Sequence, residues 1–240
     1  MAGMSEHDFG IDDLARYLHL DVAQVTKMAD RGRLPGRKIA GQWRFARADI
    51  HQWLEQRIGV SDADELAQWE VVLERSADTA ADDETTIEAL MPYDAVAVPF
   101  LARTKTSVIS GMVDLAARTG WLWDVATTVE AVRRREEMLS TALENGVAML
   151  HPRRPLPSLL AQPVVALGVT SQGVPFGGAH GALSDIFFLI CSVNDRDHLR
   201  TFARLSRIIN STEFLNELRS AENGEVARQL LLQRERRLIA

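Results

Sequence analysis

A chain of 240 residues and 26.7 kDa, 46% hydrophobic and 25% charged, has room for one large globular domain or two ordinary ones, and its composition excludes a disordered or collagenous polymer. Its longest apolar runs, Val164 to Val169 and Ile186 to Val193, are strand-sized, far short of the roughly 18 residues that span a bilayer. The net charge of −6 is unevenly held: Lys27, Arg31, Arg33, Arg37, Lys38, Arg44, Arg47 and Arg57 crowd one stretch, whereas Asp62 to Glu84 is strongly acidic. That asymmetry implies a basic module, an acidic connector and a separate body. The opening residues lack the apolar core of a secretory signal. The lone cysteine, Cys191, lies in an apolar run, so a buried, reduced thiol in a cytoplasmic protein is expected.

In chain order, Ile11, Leu14, Ala15 and Leu18 share one helical face. After a break at His19-Leu20, Asp21 can cap a second helix with Val22, Val25 and Met28-Ala29 facing inward; Gly32 stops it and Pro35-Gly36 marks a turn. Arg37 to Phe45 predicts a hairpin about Ala40-Gly41, and Asp49 to Ile58 a closing helix. In the connector, Leu66, Trp69, Val72 and Leu73 repeat at helical spacing, and Ser76 to Thr86 reads as a hinge. The body alternates helix and strand patterns: strands about Val96 and Val98, Val147 to Leu150, Val164 to Val169 and Ile186 to Val193, with helices over Lys105 to Thr119, from Asp124 through Arg135, and over Asp195 to Asn210 and Glu213 to Ala221. The expected architecture is α/β: a winged helix-turn-helix domain over residues 1–58, an acidic linker over 59–84, and over 85–240 a domain with a mixed sheet flanked by helices.

The first module, from Phe9 to Leu54, resembles the excisionase-like winged helix-turn-helix domains related to the MerR regulators. The resemblance rests on Ile11-Asp12-Asp13-Leu14-Ala15, the cap Asp21, Gly32-Arg33-Leu34-Pro35, the wing Ile39 to Phe45 and the closing Asp49 to Leu54. It implies that a second helix enters the major groove while the wing touches phosphate. Gln24, Lys27 and Arg31 are the outward candidates on that helix, and Arg37, Lys38 and Arg44 the phosphate contacts. Val22 and Ala23 stand where relatives often carry polar residues. A protein-contact module with a solvated basic face is the other reading of the same residues.

Arg135-Glu136, Ser140-Thr141 and the run Gly146-Val147-Ala148-Met149-Leu150-His151 resemble the active-site segment of the IIA domains of the fructose–mannitol type in the sugar phosphotransferase system, a group that includes the nitrogen-related regulatory IIA proteins. The resemblance runs from about Thr85 to Glu235. It implies His151 as phosphoryl acceptor, Arg135 and His198 as donors to the phosphoryl oxygens, and Ser140 or Thr141 as supporting hydroxyl or amide groups. Neutral imidazole is a competent nucleophile near neutral pH, and phosphoryl transfer between histidines asks mainly for in-line placement and positive charge, with no cofactor or metal. His151, His180 and His198 have the residue type for zinc but no short ligand pair. Leu150 replaces the proline that usually precedes the acceptor, and Ala142 and Glu144 replace glycines.

Together these features point to a cytoplasmic, bacterial-type regulator in which phosphorylation of His151 changes DNA binding or a protein contact. Its expected partners are a histidine phosphocarrier protein and DNA, with a IIB or other regulatory protein as a further candidate, a homodimer compatible with a small half-site, and no membrane. The implied chemistry is transfer of a phosphoryl group rather than turnover of a small substrate. Two alternatives are a phosphocarrier that serves a IIB partner, and a DNA-architectural factor with an inert IIA-like body.

Overall fold

Residues 8–18, 20–60 and 86–239 are described by a computed structural model, in which one unit lies within Met1–Ala81 and a second within Asp82–Ala240. The helix expected through Leu66, Trp69, Val72 and Leu73, and all of the hinge but Thr86, fall outside the described residues.

In the first unit, strand β1 (Asp8–Phe9) leads into helix α1 (Ile11–Leu18) and then α2 (Val22–Asp30). The hairpin β2 (Arg37–Ile39) and β3 (Gln42–Ala46) follows, and α3 (Arg47–Val60) closes the unit. Strands run in the order β1-β3-β2, all antiparallel. Ile39 pairs with Gln42 across a two-residue turn, and Ala40 and Gly41 both hold positive φ, 50° and 81°. That turn geometry suits the twist of a tight hairpin and explains a glycine at its second position. Leu14, Leu18, Val25, Ala29, Phe45, Ile50 and Leu54 form the core.

Val22 is a correction. It was expected to face inward but is 46% exposed, while Val25 and Ala29 carry the buried stripe of α2. Helical side chains tilt toward the N-terminus. At the first position of α2, Val22 therefore reaches past the helix end rather than over the core.

The second unit begins with a short helix, α4 (Ile87–Leu90), then a single 3-10 turn (Tyr93–Ala95) and β4 (Val96–Ala97). Helices α5 (Lys105–Arg118) and α6 (Val125–Met138) precede β5 (Val147–Leu150), β6 (Val164–Val174) and β7 (Ser184–Cys191). Helices α7 (Asp195–Ile209), α8 (Thr212–Arg219) and α9 (Gly224–Ile239) end the chain. The sheet order is β4-β6-β7-β5, with β6 and β7 antiparallel and both outer strands parallel to their neighbours. Such a mixed sheet flanked by helices is the expected architecture. Central strands are buried almost throughout, because α5 packs on β6 and β7, α7 on β7 and α8 on β6. At Gly168 a Cβ would come within 2.8 Å of the Phe100 ring and 2.9 Å of Met112 Sδ, so glycine lets α5 lie close on β6.

Asp124, Asn194 and Ser211 cap α6, α7 and α8 by accepting from Thr127, Asp197 and Phe214 backbone N–H groups at 2.9, 2.9 and 3.2 Å. The Asp124 cap was read from sequence, and the helices expected from Asp195 and Glu213 start within a residue of those positions. Helices α4 and α9 were not anticipated. The buried face of α9 runs Ala227, Arg228, Leu231, Leu232 and Glu235, so two charged residues interrupt its apolar stripe. Both are used across the unit. Glu235 accepts from the Ile87 and Glu88 N–H groups at 2.7 and 3.3 Å, while Arg228 Nε donates to Met91 O at 2.6 Å. Cys191 is buried as expected, and burial pushes its thiol up to about 12.

Candidate functional site

His151 follows directly on β5, whose parallel pairing with β7 runs to Leu150 opposite Leu189. Its Nδ1 lies 2.8 Å from Met149 O. A carbonyl can only accept, so Nδ1 carries the proton, and in the neutral ring the lone pair sits on Nε2. His198 arrives from the first turn of α7, which Asn194 caps immediately after β7. The two rings lie 5.2 Å apart at 51°. Phe202, one turn beyond His198, presents its ring edge-on to His151 at 5.5 Å. His198 Nδ1 is 3.5 Å from Ser192 Oγ, a long contact.

The segment after α6 returns along β5. Ala142 bridges Ala148 in antiparallel fashion, Leu143 N–H donates to Val147 O at 2.7 Å, and Met149 N–H donates to Thr141 O at 3.2 Å. Arg135, buried in the last turn of α6, donates from Nη1 to Leu139 O at 2.8 Å. Arg135 is thereby tied to the start of the segment that returns along β5.

Glu136 was read only as half of the Arg-Glu pair, yet it organises this segment. Its buried carboxylate accepts from Thr141 N–H at 3.2 Å and from the Thr141 hydroxyl, and pairs with Lys105 Nζ at 3.0 Å. Lys105 also lies 5.0 Å over the Phe176 ring, and Ser140 Oγ donates to Phe176 O at 3.3 Å. Both expected supporting hydroxyls thus bond to the protein, and the Thr141 N–H does too. Lys105, Glu136 and Phe202 are the residues that sequence reasoning missed. The i,i+4 spacing of His198 and Phe202 was a usable signal; Lys105 and Glu136, 31 positions apart, offered none.

The departures from the family pattern have simple placements. Leu150 is held by the β5–β7 ladder, which supplies the fixed backbone expected of a proline. Glu144 is exposed in the turn before β5, separated from His151 by the length of that strand, on the order of 13 Å. His180 is exposed in the turn Ala179–Gly181 with φ 55°, and the three histidines do not close to mutual ligand distance.

In the basic module, Lys27 is exposed on α2, and Arg31, expected on that helix, is exposed at the residue that follows its end. Together with Leu20, Gln24, Met28 and Arg33 they line an open cleft of about 280 Å³. Gln24 is exposed as well, but its Oε1 accepts from Asp21 N–H at 3.3 Å and so caps the helix. On the wing, Arg37 pairs with Asp8 at 3.3 Å and Lys38 with Asp30 at 3.4 Å. The half-buried Arg44 donates to Gln42 Oε1 at 3.0 Å. Exposed pairs of this sort are weak and can give way to a phosphate.

Residues 89–234 match the family model described as phosphoenolpyruvate-dependent sugar phosphotransferase system, EIIA 2, and residues 9–58 match a helix-turn-helix domain model. The chain is 24% identical over 152 residues to the fructose-specific EIIABC component of the phosphotransferase system of Bacillus subtilis, covering 62% of this chain and 24% of that one. It therefore spans about a quarter of that relative's length. It is 27% identical over 131 residues to the nitrogen regulatory protein of Pseudomonas aeruginosa, covering 54% of this chain and 83% of that one. Among solved structures, the nitrogen regulatory protein IIA-Ntr of Neisseria meningitidis superposes with a TM-score of 0.55 at 22% identity, covering 60% of this chain and 98% of that one. No helix among the described residues is long and apolar enough to cross a membrane.

Proposed function

The chain belongs to the EIIA 2 family of the phosphoenolpyruvate-dependent sugar phosphotransferase system, and from that membership we propose that it is a phosphorylation-responsive regulator, a DNA-binding helix-turn-helix domain coupled to a IIA domain that accepts a phosphoryl group on His151 from a histidine phosphocarrier protein. One observation carries the acceptor assignment. The Nδ1–H of His151 is committed to Met149 O, which leaves Nε2 as the nucleophile on a ring 5.2 Å from His198.

In the proposed step the Nε2 lone pair attacks the phosphorus of the donor phosphohistidine. The donor's N–P bond breaks, its electron pair returns to the donor imidazole, and a new N–P bond forms on His151. Three equatorial oxygens carry the charge through this transfer, so catalysis rests on placement and on cationic donors. Arg135 supplies a forked, permanently charged donor and His198 an N–H. Thr141, held by Glu136, keeps the neighbouring segment in register with β5, and Ser140 fixes it to Phe176 O. The regulatory assignment draws support from the helix-turn-helix domain and from the nitrogen regulatory relative, which the chain matches over most of that relative's length. The expected output is DNA binding through Lys27, Arg31, Arg37, Lys38 and Arg44.

The test is phosphoryl transfer from a phosphocarrier charged by its own kinase and phosphoenolpyruvate. The wild-type chain should acquire an acid-labile, base-stable label that His151→Ala does not. Labelling that survives in His151→Ala overturns the assignment.

A further inference from the structure

We propose that α2 recognises thymine through the C5-methyl groups in the DNA major groove, with Val22 and Ala23 as the reading side chains. The inference rests on the DNA-binding reading of the first unit and adds to it a class of base contact.

In a helix-turn-helix domain the N-terminal residues of the second helix meet the base edges. Here those residues are Val22, 46% exposed, and Ala23, also exposed. The polar groups of the same turn are largely turned back on the helix. Gln24 Oε1 accepts from Asp21 N–H at 3.3 Å, and Thr26 Oγ1 donates to Val22 O at 2.8 Å. A glutamine reads adenine by using its oxygen and its NH₂ together. With the oxygen spent on the cap, that pairing is lost. What α2 offers outward at its tip is methyl groups, and the thymine methyl is the apolar group that a base pair presents in the major groove.

Charge selects DNA over an apolar protein surface as the occupant. The apolar tip is small, and the unit that carries it exposes Lys27 on the same helix, Arg31 and Arg33 just beyond that helix, and Arg37 and Lys38 on the wing. A polyanion satisfies that frame, and an apolar partner would leave it unmatched.

The experiment uses the full chain. A preferred duplex is recovered from a random pool by repeated selection at low salt, and its thymines are then replaced one at a time by deoxyuridine, which removes only the C5-methyl. Fluorescence anisotropy should show affinity falling about fourfold at the positions beneath the helix tip, the effect of one buried methyl. Val22→Ser, with an unchanged thermal melt, should still bind but no longer distinguish thymine from uracil there. Ile39→Ser, which alters the exposed isoleucine of the wing, should keep the distinction. Equal affinity for thymine and uracil duplexes overturns the inference while leaving DNA binding intact. So does a distinction that persists in both Val22→Ser and Ala23→Ser. A wild-type chain that retains no duplex at low salt overturns the DNA reading itself, and this inference with it.

Discussion

In the proposed step, the hydrogen bond that His151 Nδ1–H donates to Met149 O determines which nitrogen reacts, Arg135 supplies charge, and Glu136 holds the Thr141 segment. Arg135→Ala should slow single-turnover phosphoryl transfer by about 100- to 1000-fold, the usual cost of losing one charge-stabilising donor. A near-wild-type transfer rate would remove Arg135 from the proposed step. Glu136 acts at one remove. Glu136→Ala strips the Thr141 N–H, the Thr141 hydroxyl and Lys105 of a shared buried acceptor, and should lower stability by about 1.5–3 kcal/mol in denaturant unfolding. An unchanged unfolding midpoint would mean that this carboxylate holds nothing in place.

Among the elements, α9 shows how a charged residue can close a unit. Glu235 reaches the N-terminus of α4 and accepts two backbone N–H groups there, with Arg204 Nη1 3.7 Å away. Burial nevertheless raises its carboxyl above the ordinary glutamate value, outweighing the Ile87 N–H and Arg204, which lower it. A raised folded pKa means that the native state holds this proton more tightly than the unfolded chain does. The group's contribution is therefore fully present below the ordinary glutamate value and is lost as pH rises through the raised one. Glu235→Gln should remove that slope, so parallel melts should show wild type losing ground to the variant as pH rises through the window. Parallel pH curves for the two proteins would contradict it. On the wing, Arg44→Ala should reduce the log–log salt slope of DNA binding by about 0.9 and weaken all sequences alike. A loss confined to particular bases would mark Arg44 as a base reader instead.

For the whole molecule, the proposal couples two units that sequence and fold both separate. Phosphorylation adds roughly −1.5 to −2 charges at His151. DNA affinity of the full chain should differ between the phosphorylated and unphosphorylated forms at fixed salt, with His151→Ala unresponsive to the charged phosphocarrier. Identical affinities in the two forms would leave the IIA domain without an output through DNA.

Much of this was written locally. Helical spacing located α1, α2, α5, α6 and α7, and Asp21 and Asp124 marked where two of them begin, because both signals act within a turn or two of the chain. The run ending in Leu150-His151 marked the proposed acceptor for the same reason: strand and histidine are contiguous. Tertiary structure alone decided the rest. It brought His198 and Phe202 against His151, selected the proton-bearing nitrogen through Met149 O, and turned Thr141 toward Glu136. It left Val22 uncovered at the tip of α2, and it buried Glu235 against a helix 148 positions away. Periodicity records which face of an element is apolar. Which polar atoms meet across the sheet depends on how the elements pack, and that depends on every residue between them.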